Sequence, residues 1–95
     1  MFRFLMVEDS KAEADILRSH IERFARENGL QIQILWLQNA FDLGSGDLDP
    51  DLIFLDIDLP GMNGLEAATL LRAVDPITPI IFVTNLANYA VKGYE

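Results

Sequence analysis

A chain of 95 residues with a formal charge of −8 makes one domain with one core, disfavours nucleic acid as a direct partner and suits a site for a divalent cation. The absence of cysteine excludes a disulfide framework, a thiol nucleophile and a thiolate zinc site, and is compatible with a reducing cytoplasm. Although 51% of the residues are hydrophobic, no apolar run approaches the ~18 residues of a membrane span, so the chain reads as soluble.

The opening Met-Phe-Arg-Phe-Leu-Met-Val meets Glu8 and Asp9 with no small-residue cleavage site, which argues against a signal peptide and for a first strand over Arg3 to Val7. That strand delivers two acids at its C-terminal end. Ser10-Lys11-Ala12-Glu13 has the form of a capping box and predicts a helix start, with Gly29 as the stop. Ala12, Ile16, Leu17, His20, Ile21 and Phe24 recur at helical spacing and are expected to form its buried stripe, with Arg18, Glu22, Arg23 and Arg26 facing water. His20, the only histidine, lies on or beside that stripe and is read as structural.

Gln31 to Leu37 alternates at its start as a half-buried edge strand does, with Ile32, Ile34 and Trp36 on one face and Trp36 packing there. From Asn39 to Pro50 the pattern fades and allows at most a one- or two-turn helix near Ala40 to Leu43. Asp42, Asp47 and Asp49 lack the ordered oxygens and terminal glutamate of a calcium loop and read as a solvated turn.

The most informative stretch follows. Leu52 to Leu55 is an apolar run too short for a helix; it ends at Asp56 and gives way to Pro60, Gly61 and Gly64, so it reads as a buried strand presenting an aspartate beyond its C-terminal end. Ligands of open α/β sheets bind at that edge, which makes Asp56 the first candidate for chemistry. Leu65 to Val74 then predicts a helix with Leu65, Ala68, Leu71 and Val74 on one face and Pro76 ending it. Pro79 to Thr84 is a further buried strand with a hydroxyl at its exit, and Asn85 to Tyr94 a weaker helix interrupted by Gly93.

This order implies an α/β fold, a parallel sheet wrapped by helices on both faces with right-handed crossovers, so the polar strand ends share one edge. Carboxylates of Glu8, Asp9 and Asp56 converging there call for a cation, and a hard oxygen site with open water positions suits magnesium. A phosphoryl oxygen is the natural further partner; a carboxylate nucleophile, a magnesium ion and the Thr84 hydroxyl form a minimal phosphoryl-transfer site.

Val7-Glu8-Asp9, Asp56 to Gly64 and Phe82-Val83-Thr84, in this order and spacing, resemble the receiver domain of two-component response regulators along the whole chain. The resemblance implies a doubly wound, flavodoxin-like sheet of strand order 2-1-3-4, lacking the family's fifth strand and fifth helix, with residues 1–95 forming one C-terminally truncated receiver domain. It implies that Asp56 accepts a phosphoryl group from a sensor histidine kinase, that Glu8, Asp9, Asp56 and the backbone carbonyl of Asp58 hold Mg2+, and that Thr84 is the switch hydroxyl. Asn85 to Glu95 also resembles the fourth-helix region of receivers that precede a LytTR-type DNA-binding domain, which implies transcription regulation in the cytoplasm; the charge of −8 and the lack of a long apolar run lead one to expect no nucleic-acid or membrane contact by this domain. The family's fifth-strand lysine and aromatic switch partner have no counterpart, and Lys92, Tyr89 and Tyr94 do not replace them, so impaired signalling output is expected. With the fifth strand gone, Ile80 to Val83 becomes an exposed apolar edge, from which self-association, with exchange of C-terminal helices, is expected. Two other readings stand beside this one. Asp56-Ile57-Asp58 also resembles the aspartate pair of haloacid-dehalogenase-type phosphohydrolases, and a receiver-like chain can act as a non-catalytic interaction module.

Overall fold

The computed structural model describes residues 1–39, 41, 43, 48–58 and 61–83. Among these residues four strands, β1 (Phe2–Val7), β2 (Ile32–Leu37), β3 (Leu52–Asp56) and β4 (Ile80–Val83), form one sheet in the order β2-β1-β3-β4, with every adjacent pair parallel. Among the described residues the helices are α1 (Lys11–Glu27) and α2 (Gly64–Arg72). This is the doubly wound α/β arrangement expected. Alternation along β1 divides the core: Leu5 and Val7 pack with Ile53, Leu55, Ala67 and Leu71 on the α2 face, whereas Phe4 and Met6 pack with Ala14 and Ile21 on the α1 face. Leu5, Met6, Val7, Ile53 and Leu55 lose essentially all contact with solvent, which anchors the two central strands.

The α1 stripe is rotated from the sequence expectation. Ala14, Ile21 and Ala25 are buried, while Ala12, Ile16, His20 and Phe24 are exposed. The helix carries more apolar surface than one sheet contact covers. Its Ala14–Ile21–Ala25 edge meets the sheet, and Leu17, His20 and Phe24 line an open apolar groove of about 340 Å³ facing Phe54 and Ile81. Ser10 caps the helix through a bond from Glu13 N–H at 3.3 Å, but the reciprocal half of the capping box is missing because Ser10 N–H donates to Glu8 Oε1 instead. The α2 face is rotated as well: Gly64, Ala67 and Leu71 are buried, and Leu65 and Val74 are exposed. Here the helix begins one residue earlier than expected, capped by Asn63, whose side chain and that of Glu66 form a complete capping box.

Asp75 closes the chain's approach to β4, its carboxylate accepting from the N–H groups of Ile77 at 3.1 Å and Thr78 at 3.0 Å and from the Thr78 hydroxyl, contacts that hold its carboxyl below the ordinary aspartate range. In the Asn39–Pro50 segment, Leu43 is buried in the α2-side core and Asp49 is exposed, 3.9 Å from Arg3. Ala40, Asp42 and Asp47 lie outside the described residues, as does the helix expected over Asn85 to Tyr94.

Candidate functional site

Parallel pairing of β1 with β3 runs from Phe4↔Leu52 to Val7↔Leu55, so the residues following Val7 and Leu55 emerge side by side at one edge. These are Glu8 and Asp56. Glu8, Asp9 and Asp56 bring carboxylate oxygens within 4.8 Å of one another, with Glu8 and Asp56 buried and Asp9 exposed. At that separation, two ionised carboxylates repel by roughly 3 kcal/mol at an effective dielectric of about 20, so the cluster is costly without a compensating charge.

Burial pushes the Glu8 carboxyl up from 4.5 to about 7; the Ser10 N–H opposes the shift, and the neighbouring Asp56 and Asp9 carboxylates add to it. Asp56 is fixed at the end of β3, where Ile57 N–H donates to Val83 O at 3.1 Å and Asp58 N–H donates to Asp56 Oδ1 at 3.1 Å. That turn sets the Asp58 N–H against the Asp56 carboxylate and leaves Asp58 exposed. Below it, Gly64 N–H donates to Ile57 O at 2.7 Å, clamping the first turn of α2 onto the strand end.

Glu8, Asp9 and Asp56 are therefore brought together as the sequence led one to expect, and Asp58 touches the group through its N–H bond to Asp56. Thr84 lies outside the described residues. His20 is exposed on α1 and takes no part in the acidic cluster. Sequence reasoning missed Trp36, whose indole Nε1–H donates to the Glu8 carbonyl at 2.7 Å. It also missed the tight seat of Gly64, for which the signal was available in Asn63-x-x-Glu66, a capping box that fixes a helix start against the acidic strand end. Three carboxylates at and just beyond the ends of β1 and β3, one of them raised by burial to about 7, are a donor set that fits a small hard cation.

The fold has counterparts among known proteins. LytT of Bacillus subtilis (strain 168), a sensory transduction protein, is 35% identical over 95 residues; all of this chain is covered, and the chain spans 39% of LytT's length. The MaeR response regulator bound to beryllium trifluoride superposes with a TM-score of 0.74 at 26% identity, over 96% of this chain and 77% of that one. The receiver domain of the sensor histidine kinase PA1611 from Pseudomonas aeruginosa PAO1, with a magnesium ion coordinated in its active-site cleft, shares the fold with a TM-score of 0.63 at 24% identity, over 85% of this chain and 65% of that one. With the response regulator receiver domain model matching residues 4–95, the chain belongs to that family, the signalling domains of two-component systems and not conventional enzymes.

Proposed function

We propose that the chain is a phosphoacceptor module in which Asp56 takes a phosphoryl group from a sensor histidine kinase, with Mg2+ held by the carboxylates of Glu8, Asp9 and Asp56 and the backbone carbonyl of Asp58. The observation that carries this reading is the convergence of the three carboxylates at the edge where β1 and β3 end. An Asp56 carboxylate oxygen attacks phosphorus, the phosphorus–nitrogen bond of the kinase phosphohistidine breaks, and the imidazole leaves with the electron pair and takes up a proton. Small phosphodonors such as acetyl phosphate react at the same oxygen. Asp58 N–H holds Asp56 Oδ1 and orients the acceptor, and the sheet keeps the carboxylate from turning away. When bound, the metal ion neutralises charge on the acids and on the incoming phosphoryl oxygens. Thr84 supplies the switch hydroxyl.

Chain-wide proposals follow from the family. Residues 1–95 act as one receiver domain in the cytoplasm and do not themselves bind nucleic acid, in keeping with the charge of −8, and regulation of transcription lies with the rest of a longer regulator. Among the described residues, no helix is long and apolar enough to cross a membrane. Among the described strands β4 is one of the two edges, with Ile81 46% and Phe82 40% exposed, and we propose that copies associate through it. Light scattering is expected to give a dimer mass at high protein concentration; a monomer mass throughout contradicts the association.

The cation site is tested by melting the chain with increasing magnesium chloride. At ten times the dissociation constant the wild type gains about 1.4 kcal/mol, a rise of roughly 5–10 °C for a domain of this size. Asp9→Asn, altered at an exposed ligand that the core does not need, is expected to show little rise. Equal curves for the two proteins, or a flat curve for the wild type, count against the reading.

A further inference from the structure

Two acids of the cluster, Glu8 and Asp9, sit not on β1 itself but on the residues that leave it, and what directs them is the peptide that joins them. The β1–β2 register ends at Val7↔Leu37. Beyond it, Glu8 N–H still finds Leu37 O at 3.0 Å, but its carbonyl has passed the last paired residue. A part-buried carbonyl needs a partner, and the indole of Trp36, the only tryptophan of the chain, supplies one at 2.7 Å. Two consecutive residues of β2 thus grip Glu8 from both sides, Leu37 through the main chain and Trp36 through its ring.

We propose that Trp36 is a positioning residue: its indole N–H fixes the peptide joining Glu8 to Asp9, and so sets the two carboxylates to converge with Asp56 on a divalent cation. The proposal rests on the reading of that cluster as a cation site. The ring also packs on the α1 side of the sheet against the cluster of Phe4, Met6, Ala14 and Ile21, an apolar task that phenylalanine retains in large part. Only the N–H is special to the positioning role. Partners one step behind a metal's ligands govern how well the ligands are aimed, and their removal typically weakens metal binding about 10- to 100-fold.

Trp36→Phe separates the two tasks. Titrated with magnesium chloride and followed by melting, the variant is expected to keep the wild-type circular dichroism and to need about tenfold more magnesium for the same rise in melting temperature. A second arm uses the wild type alone, in which the indole is the sole strong fluorophore: its emission is expected to change with magnesium at the midpoint seen by melting, and to stay constant in Asp56→Asn. Magnesium binding by Trp36→Phe at wild-type affinity overturns the proposal and leaves the cation site standing. If the variant does not fold, wild-type emission that stays constant while melting shows magnesium bound overturns it equally. A wild type that binds no magnesium overturns the cation reading, and the proposal with it.

Discussion

Gly64→Ala is expected to destabilise the chain by about 3 kcal/mol and to lower its melting temperature by roughly 10–20 °C, one of the largest effects available to a single added methyl group. The cause is steric and local. A Cβ on Gly64 falls 2.5 Å from the carbonyl oxygen of Asp56, 2.7 Å from Ile57 Cα and 3.0 Å from the Asp56 carbonyl carbon. All three atoms are backbone, so no side chain can swing aside. Relief requires α2 to lift from the end of β3, which breaks the 2.7 Å bond from Gly64 N–H to Ile57 O, or requires the Asp56 peptide to move, which displaces the acceptor. The variant is therefore expected to lose magnesium binding along with stability. Thermal unfolding followed by circular dichroism checks the first part; a melting temperature within about 2 °C of the wild type contradicts the close approach of helix and strand.

Glu8→Gln is expected to have opposite effects on the free chain and on its metal complex. The Glu8 carboxyl titrates at about 7 in the folded chain and in the ordinary glutamate range when unfolded, so between those values the folded state holds the extra proton. A group raised in this way stabilises the fold fully below its unfolded value, and that contribution is lost as pH rises through about 7. The loss is on the order of 3 kcal/mol for a shift of this size. Glutamine never ionises and does not suffer it. Without magnesium, Glu8→Gln is expected to match the wild type in mild acid and to exceed it above neutrality, by roughly 2–3 kcal/mol. With magnesium at several hundred times its dissociation constant the order reverses, because binding then contributes more than about 3 kcal/mol to the wild type, which gains a ligand by losing the proton, whereas the variant cannot. Urea melts at several pH values with and without the ion measure both; a wild type whose metal-free stability rises steadily from mild acid through neutrality contradicts the buried, raised Glu8.

The strands and the acidic cluster were legible in the sequence because each rests on a local pattern: short apolar runs ending in acids at Glu8 and Asp56, with proline and glycine marking where β3 stops. Helix existence was legible for the same reason, but not helix facing. On α1, Ile16 and Phe24 satisfy the helical spacing as well as Ala14 and Ala25 do, and periodicity ranks the larger side chains first. The structure buries the alanines because close approach of the helix to the sheet favours small residues there, and leaves Phe24 at the rim of the apolar groove. Trp36 was placed on the correct face of β2 by alternation, but its bond to Glu8 joins residues 28 apart and depends on where β1 outruns its register, which no local pattern records. Gly64 lay within the motif that led to Asp56, yet its role comes from backbone approach across the turn and not from the turn itself.

The most direct test of Asp56 as acceptor is the intact mass of the chain after incubation with acetyl phosphate, in magnesium and in EDTA, beside Asp56→Ala. The expected result is one added phosphoryl group in the wild type, present only with magnesium and absent from Asp56→Ala. A folded wild type that gains no mass in magnesium, or an Asp56→Ala chain that gains as much as the wild type, contradicts the assignment of Asp56 as the phosphoacceptor.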